Sequence, residues 1–150
     1  RTLAENIPQL VFRSQSGGVR TWGSPQWVAF TGLTETQSLG LGWMDAVHPD
    51  DRSLTEDAWV QAEASGDLYV EHRLRRVTDQ GYRWFQTRAT KTDEGEWLGT
   101  STDIDELRRL KERQDVLLRE LHHRTGNLLA VVSSIARART AAGRARCGVI

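Results

Sequence analysis

The chain has 150 residues, with 20 basic and 20 acidic side chains, four histidines and a formal net charge of zero. That length holds one domain plus an appendage. Its single cysteine, Cys147, excludes an intrachain disulfide and a cysteine-based metal site, and points to a reducing, cytoplasmic setting.

The first hundred residues alternate short strand-like runs with turns and brief helices. Gln9 to Arg13 and Val19 to Trp22 flank Ser16-Gly17-Gly18 and read as a hairpin. Ser24-Pro25 offers an N-cap followed by proline at the first helical position, for a helix that carries Trp27, Val28 and Phe30 and ends at Thr31-Gly32. A second helix is expected from about Pro49 to Ser65-Gly66. Its acidic first turn suits the helix dipole, and Leu54, Ala58, Trp59 and Ala62 form its inner face. Three longer strands follow, at 68–77, 82–92 and 96–102, joined by Asp79-Gln80-Gly81 and Asp93-Glu94-Gly95. In the first of these turns the glycine is expected to take the positive φ. The result is an α+β layer architecture: a five-stranded antiparallel sheet with helices on one face.

From Asp103 the pattern changes. Ile104, Leu107, Leu110 or Lys111, Gln114, Leu117/Leu118 and Leu121 step by three and four, a heptad-like seam interrupted by polar residues. With no Pro or Gly between Asp103 and Gly126, one long helix from about 103 to 140 is predicted, capped at its start by Asp103 or Asp105. A half-polar seam is poorly suited to burial within one chain, so a parallel homodimer through residues 104–140 is expected, supplying half of a four-helix bundle. Charge is also unevenly placed, with 14 acidic and 10 basic side chains in residues 1–102 against 6 and 10 in residues 103–150. Beyond Leu121 the charged side chains are all arginines: Arg124, Arg137, Arg139, Arg144 and Arg146. Without interleaved aromatics they are a weak nucleic-acid signal, and nucleic acid is not expected as a partner. No apolar run approaches the roughly 20 residues of a membrane helix, and no signal peptide is visible. Starting on Arg1 and stopping at Ile150 without helix-ending residues, the chain reads as a piece of something longer.

Two resemblances follow from particular motifs. Gly42-Trp43-Met44-Asp45-Ala46-Val47-His48-Pro49-Asp50-Asp51-Arg52, His72-Arg73-Leu74-Arg75-Arg76, Asp79-Gln80-Gly81-Tyr82-Arg83-Trp84 and Gly99-Thr100-Ser101-Thr102-Asp103-Ile104 occur in that order. Over about residues 3–105 the chain thereby resembles PAS sensor domains, in particular the subtype marked by W…HPDD, a D-x-G hairpin followed by RW, and a closing G-T-x-x-D-I. The resemblance implies a five-stranded PAS sheet with a possible ligand pocket beneath it. Further on, Glu120-Leu121-His122-His123-Arg124-Thr125-Gly126-Asn127 and Leu129-Ala130-Val131-Val132-Ser133-Ser134-Ile135 resemble the phosphoacceptor helix of sensor histidine kinases. The similarity is to the HWE family or its close relative in the second HisKA class, whose helices read E-L-x-H-R-x-x-N and then L-A-x-V-x-x-I. By this resemblance His123 is the phosphorylated residue and His122 a bystander. Where those families usually have valine and lysine before the asparagine, this chain has Thr125 and Gly126, and glycine within a helix costs roughly 1 kcal/mol relative to alanine.

The organisation implied is a PAS sensor domain at 1–103, a helical signalling linker at 104–116, and the first helix of a dimerisation and histidine-phosphotransfer region at 117–150. An ATP-binding domain, bringing ATP and magnesium, would follow in the parent kinase, and a response-regulator receiver domain would take the phosphoryl group. The fragment alone is expected to be inactive, with no cofactor of its own. In that chemistry the neutral imidazole of His123 attacks the γ-phosphorus of ATP. Arg124 balances phosphate charge, Glu120 orients the ring or accepts its proton, and Asn127 holds the ring or contacts the partner domain. The bland reading is that both histidines are solvated residues on a coiled-coil linker. Asp103 and Ile104, where the last strand meets the helix, are candidate relay residues, because Asp103 can cap the helix or pair with an arginine of the sheet.

No ligand for the pocket is legible. The flavin photochemistry of related light sensors needs a cysteine in the sensor core, and Cys147 lies outside it. Haem needs an axial ligand, for which only His48, more simply a loop or capping residue, and His72 are placed. The six tryptophans, Trp22, Trp27, Trp43, Trp59, Trp84 and Trp97, read as core and sheet packing. The main alternative to a kinase is a non-enzymatic PAS dimer that regulates a partner protein.

Overall fold

The computed structural model describes residues 9–124. Five strands, β1 (Gln9–Gln15), β2 (Val19–Gly23), β3 (Asp67–Arg75), β4 (Tyr82–Lys91) and β5 (Trp97–Asp103), form one antiparallel sheet in the order β2-β1-β5-β4-β3. Between β2 and β3 the chain crosses the sheet through three helices, α1 (Pro25–Thr31), α2 (Glu35–Ser38) and α3 (Arg52–Ser65), with single 3-10 turns at Gly42–Ala46 and Pro49–Asp51. A fourth helix, α4 (Asp105–Arg124), follows β5. The fold is therefore the α+β five-stranded arrangement expected from sequence. Contacts divide the chain into two units after Arg108, so that most of α4 belongs to the second.

Strand alternation places the core. Leu10 and Phe12 of β1, Leu68, Val70 and Leu74 of β3, Phe85 and Ala89 of β4 and Trp97 of β5 point to the helical side and are buried. All but Val70 pack in one cluster with Trp27, Trp43, Ala46, Val47, Trp59 and Ala62 of the crossing segment. Trp59 meets Phe12 and Trp97 edge-on, with ring centroids 6.3 and 5.4 Å apart. Four of the six tryptophans are thus core residues, whereas Trp22 is exposed and Trp84 half-buried.

Several local expectations are corrected. Leu54 is 43% exposed, and the inward position on α3 belongs to Thr55, which is fully buried. Thr55 fits because its hydroxyl bonds Asp51 O one turn back and His72 across the layer. Ser24 sits at the N-cap of α1, but its hydroxyl accepts from Val11 N instead of capping, so it ties α1 to β1. In the β3–β4 turn the positive φ (58°) falls on Gln80, not Gly81, because Asp79 Oδ1 accepts from Gly81 N and folds the turn one residue earlier.

Candidate functional site

Three groupings of polar residues stand out on this frame. The first is the HPDD turn. His48 Nδ1 accepts from Asp50 N at 3.0 Å, capping the turn as its sequence position suggested. Asp51 is buried and accepts three hydrogen bonds of 2.8 Å from Arg73 of β3, from its backbone N, Nε and Nη2. The Arg73 guanidinium holds the Asp51 carboxyl below the usual carboxylate range. This bidentate pair fastens the start of α3 to the sheet.

The second grouping is a polar vein through the core. His72 is buried on the inner face of β3 among leucines and valine. Its Nδ1 lies 2.9 Å from Thr55 Oγ1, its Nε2 2.8 Å from Thr87 Oγ1, and Thr87 lies 2.7 Å from Ser101 Oγ. Because Thr55 donates its own hydroxyl to Asp51 O, it can only accept from His72, which assigns the proton to Nδ1. Nε2 of the neutral ring then accepts from Thr87, which in turn accepts from Ser101. Burial drives the His72 pKa down to about 4, in keeping with that neutral form. Both ring nitrogens are spent on hydroxyls, a poor starting point for the haem ligation considered from sequence.

Beside the vein lies Arg20 of β2, buried against the rings of Trp27, Phe12 and Trp43, with its guanidinium carbon 4.3, 4.6 and 5.1 Å from their centroids. Arg20, Phe12, Trp27, Trp43, Trp59 and His72 are among the residues that line a small interior cavity. Sequence reading overlooked this arginine. The available signal was a strand, Val19-Arg20-Thr21-Trp22, in which neither alternating face is purely apolar.

The third grouping is the joint between sheet and α4. Asp103, the last residue of β5, accepts from Arg83 Nε of β4 through Oδ2 at 2.7 Å and from Asp105 N through Oδ1 at 2.9 Å. Asp103 therefore does both things anticipated of it: it pairs with a sheet arginine and satisfies a backbone donor at the helix start. Ile104 N donates to Trp84 O and Ile104 O accepts from Arg108 N, so this residue belongs at once to the sheet and to the first helical turn. Asp105, buried, accepts from Trp84 N through Oδ1 at 3.1 Å. Arg108 completes the joint, bonding Glu71 Oε1 at 2.8 Å and stacking on Trp84 at 3.7 Å.

Further along α4, His122, His123 and Arg124 occupy the last described turn. Glu120 Oε1 accepts from Arg124 Nη2 at 2.9 Å, an i,i+4 pair astride His123. Asn127, Gly126, the apolar run to Ile135 and the helix end expected near 140 lie outside the described residues.

A central sheet flanked by one helical crossing and closed by Asp103-Ile104 is the arrangement that the PAS motifs predict, and the chain matches the PAS_3 family, a PAS fold, over residues 20–100. The chain belongs to that family. Among curated proteins it is 35% identical over 118 residues to y4lL of Sinorhizobium fredii and 34% identical over 127 residues to the peroxide stress-activated histidine kinase mak1 of Schizosaccharomyces pombe. Each match covers 75% of this chain, which spans only 14% and 8% of the length of these two relatives. In solved structures, the PAS domain of the Cronobacter turicensis quorum-sensing receptor RpfR, in complex with BDSF, has the same fold, with a TM-score of 0.55 at 18% identity over 65% of this chain and 94% of that one. The PAS fold is accordingly established for this chain, and its histidine-kinase relative supports a sensory role in signalling. Among the described residues no helix is long and apolar enough to cross a membrane.

Proposed function

We propose that this chain is the sensory part of a two-component sensor histidine kinase, in which the PAS unit biases α4 and His123 of that helix accepts a phosphoryl group from ATP. The observation that carries this reading is the joint at Asp103: the strand at the centre of the PAS sheet's hydrogen bonding to β1 and β4 runs directly into the helix that bears His123. A change of packing inside the sheet can reach the helix through Arg83–Asp103–Asp105 and Trp84–Ile104, both short enough to alter the helix's rotation without unfolding it. The similarity to mak1, itself a histidine kinase, supports the kinase context. The resemblance to HWE-type or second-class HisKA phosphoacceptor helices supplies the role of His123.

In this reading ATP and magnesium belong to an ATP-binding domain of the parent protein, and a response-regulator aspartate is the acceptor downstream. The His123 imidazole nitrogen attacks the γ-phosphorus as the bond from Pγ to the bridging oxygen breaks and ADP leaves, and Glu120 or solvent takes the ring proton. Arg124 offsets the phosphate charge in this reading, and in the structure it pairs with Glu120. Asn127 keeps the supporting role that the resemblance implies. Leu107, Leu110, Leu117, Leu118 and Leu121 are each 51–66% exposed along α4. A parallel homodimer through residues 104–140 would cover them.

The test is phosphate chemistry in the full-length protein. Acid-labile, base-stable phosphate that disappears in His123→Gln supports the kinase. Full signalling by His123→Gln supports instead a PAS dimer that regulates a partner without phosphotransfer.

A further inference from the structure

Two parts of the molecule converge on Trp84. Its backbone is committed to the start of α4: the carbonyl oxygen accepts from Ile104 N at 2.8 Å, and the N–H donates to Asp105 Oδ1 at 3.1 Å. Its ring carries two guanidinium groups, with the central carbon of Arg108 3.7 Å and that of Arg73 5.0 Å from the centroid. Arg73 stands directly opposite Trp84 in the β3–β4 pairing, and Glu71, two residues earlier on β3, shares its face of the sheet. Each arginine has its own carboxylate. Asp51 of the HPDD turn accepts from Nε and Nη2 of Arg73 at 2.8 Å, and Glu71 accepts from Nη1 of Arg108 at 2.8 Å. The other Glu71 oxygen accepts from the Tyr69 hydroxyl at 2.7 Å.

Arg108 keeps its place on the indole although its buried Nε has no hydrogen-bond partner among the described residues. The ring, rather than the number of hydrogen bonds, therefore fixes where this guanidinium lies. Two like charges share one ring, and each is offset by a carboxylate from a different element, Asp51 before α3 and Glu71 on β3. A shift at the start of α3 that draws Arg73 with it changes both the stacking and the field at Trp84, and so loosens the hold on Arg108. We propose that Asp51–Arg73–Trp84–Arg108 is a side-chain relay coupling the HPDD turn, where α3 begins, to the first turn of α4, with Arg108 as the residue that positions that turn. It crosses the face of the sheet away from the core and does not pass through Asp103. The relay stands whether or not His123 accepts phosphate.

The test is amide hydrogen exchange in the 150-residue chain, read at Arg108 N–H, which bonds Ile104 O, and at Arg109 N–H one residue on. Rates are normalised to the Phe85 and Thr87 amides of β4, which report global unfolding. Arg73→Lys and Arg108→Lys keep each charge and remove the planar group that stacks. Arg108→Lys should speed exchange at the two α4 amides about fivefold, and Arg73→Lys, a change in β3, about threefold. The double variant should again give about fivefold, because Arg73 acts on α4 only through Arg108; independent contacts would multiply to about fifteenfold. Factors that multiply overturn the relay, and so does a wild-type normalised rate in either single variant. Equal acceleration of the β4 amides in Arg73→Lys would mark general unfolding in place of coupling, and would overturn it as well.

Discussion

Acid should weaken this fold through His72 before it reaches the carboxylates. The ring is neutral in the folded state, with its pKa lowered from 6.5 to about 4 by burial. In the unfolded chain it titrates near 6.5, so between these values the unfolded state binds a proton that the folded state refuses. Stability therefore rises with pH across this window, and is lost as pH falls from about 6.5 towards 4. That difference corresponds to roughly 3 kcal/mol in total, with a slope of about 1 kcal/mol per pH unit near pH 5 from this single group. The assay is urea unfolding followed by tryptophan fluorescence at half-unit steps from pH 4.5 to 7.5. The comparison protein is His72→Gln, whose amide can bond Thr55 and Thr87 but does not titrate. Other groups change charge identically in both proteins, so the difference in slope isolates His72. Parallel stability profiles for the two proteins would refute the buried neutral histidine and the proton assignment built on it.

Three further outcomes are expected. Asp51→Ala leaves the Arg73 guanidinium without its buried partner, and should lower unfolding free energy by about 3–5 kcal/mol in urea titration; a loss below about 1 kcal/mol would show that the HPDD turn is not the staple between α3 and β3. Asp103→Ala frees Arg83 and the Asp105 amide, at a cost of about 1–3 kcal/mol, and should speed hydrogen exchange in Asp105–Arg108 while uncoupling stimulus from His123 phosphorylation in the full-length protein; unchanged coupling would reduce Asp103 to a helix-end contact. Light scattering at high micromolar concentration should give a dimer for the chain and a monomer for Leu110→Glu/Leu121→Glu, whereas a strict monomer for the wild type would remove the coiled-coil interface.

How much of this could be read from the sequence varies with the physical signal each residue leaves. The β3–β4–β5 meander was legible because period-two patterning and two turn clusters bound it, and because HPDD, RW and GTxxDI recur in a fixed order. Leu54 misled because hydropathy assigns leucine inward, while the inward place on α3 was taken by Thr55, whose value lies in two hydrogen bonds that no periodicity reports. His72 was visible as the one polar residue on an otherwise apolar strand face, but its partners Thr87 and Ser101 come from two other strands and become neighbours only through sheet register. Arg20 shows the limit most clearly: in sequence it is an ordinary strand arginine, and only the convergence of Phe12, Trp27 and Trp43 makes its burial apparent. Asp103 was placed correctly by its position at a strand-to-helix junction, although which arginine it would meet required the β4–β5 pairing.

His123 is the residue on which the proposed phosphotransfer turns. Its most direct test is to incubate the full-length protein with magnesium and γ-labelled ATP and to map the phosphate by mass spectrometry under alkaline conditions that preserve phosphohistidine. Label is expected on His123, none on His122, with loss of label in His123→Gln while folding stays intact. Label confined to another residue, or persisting in His123→Gln, would contradict it.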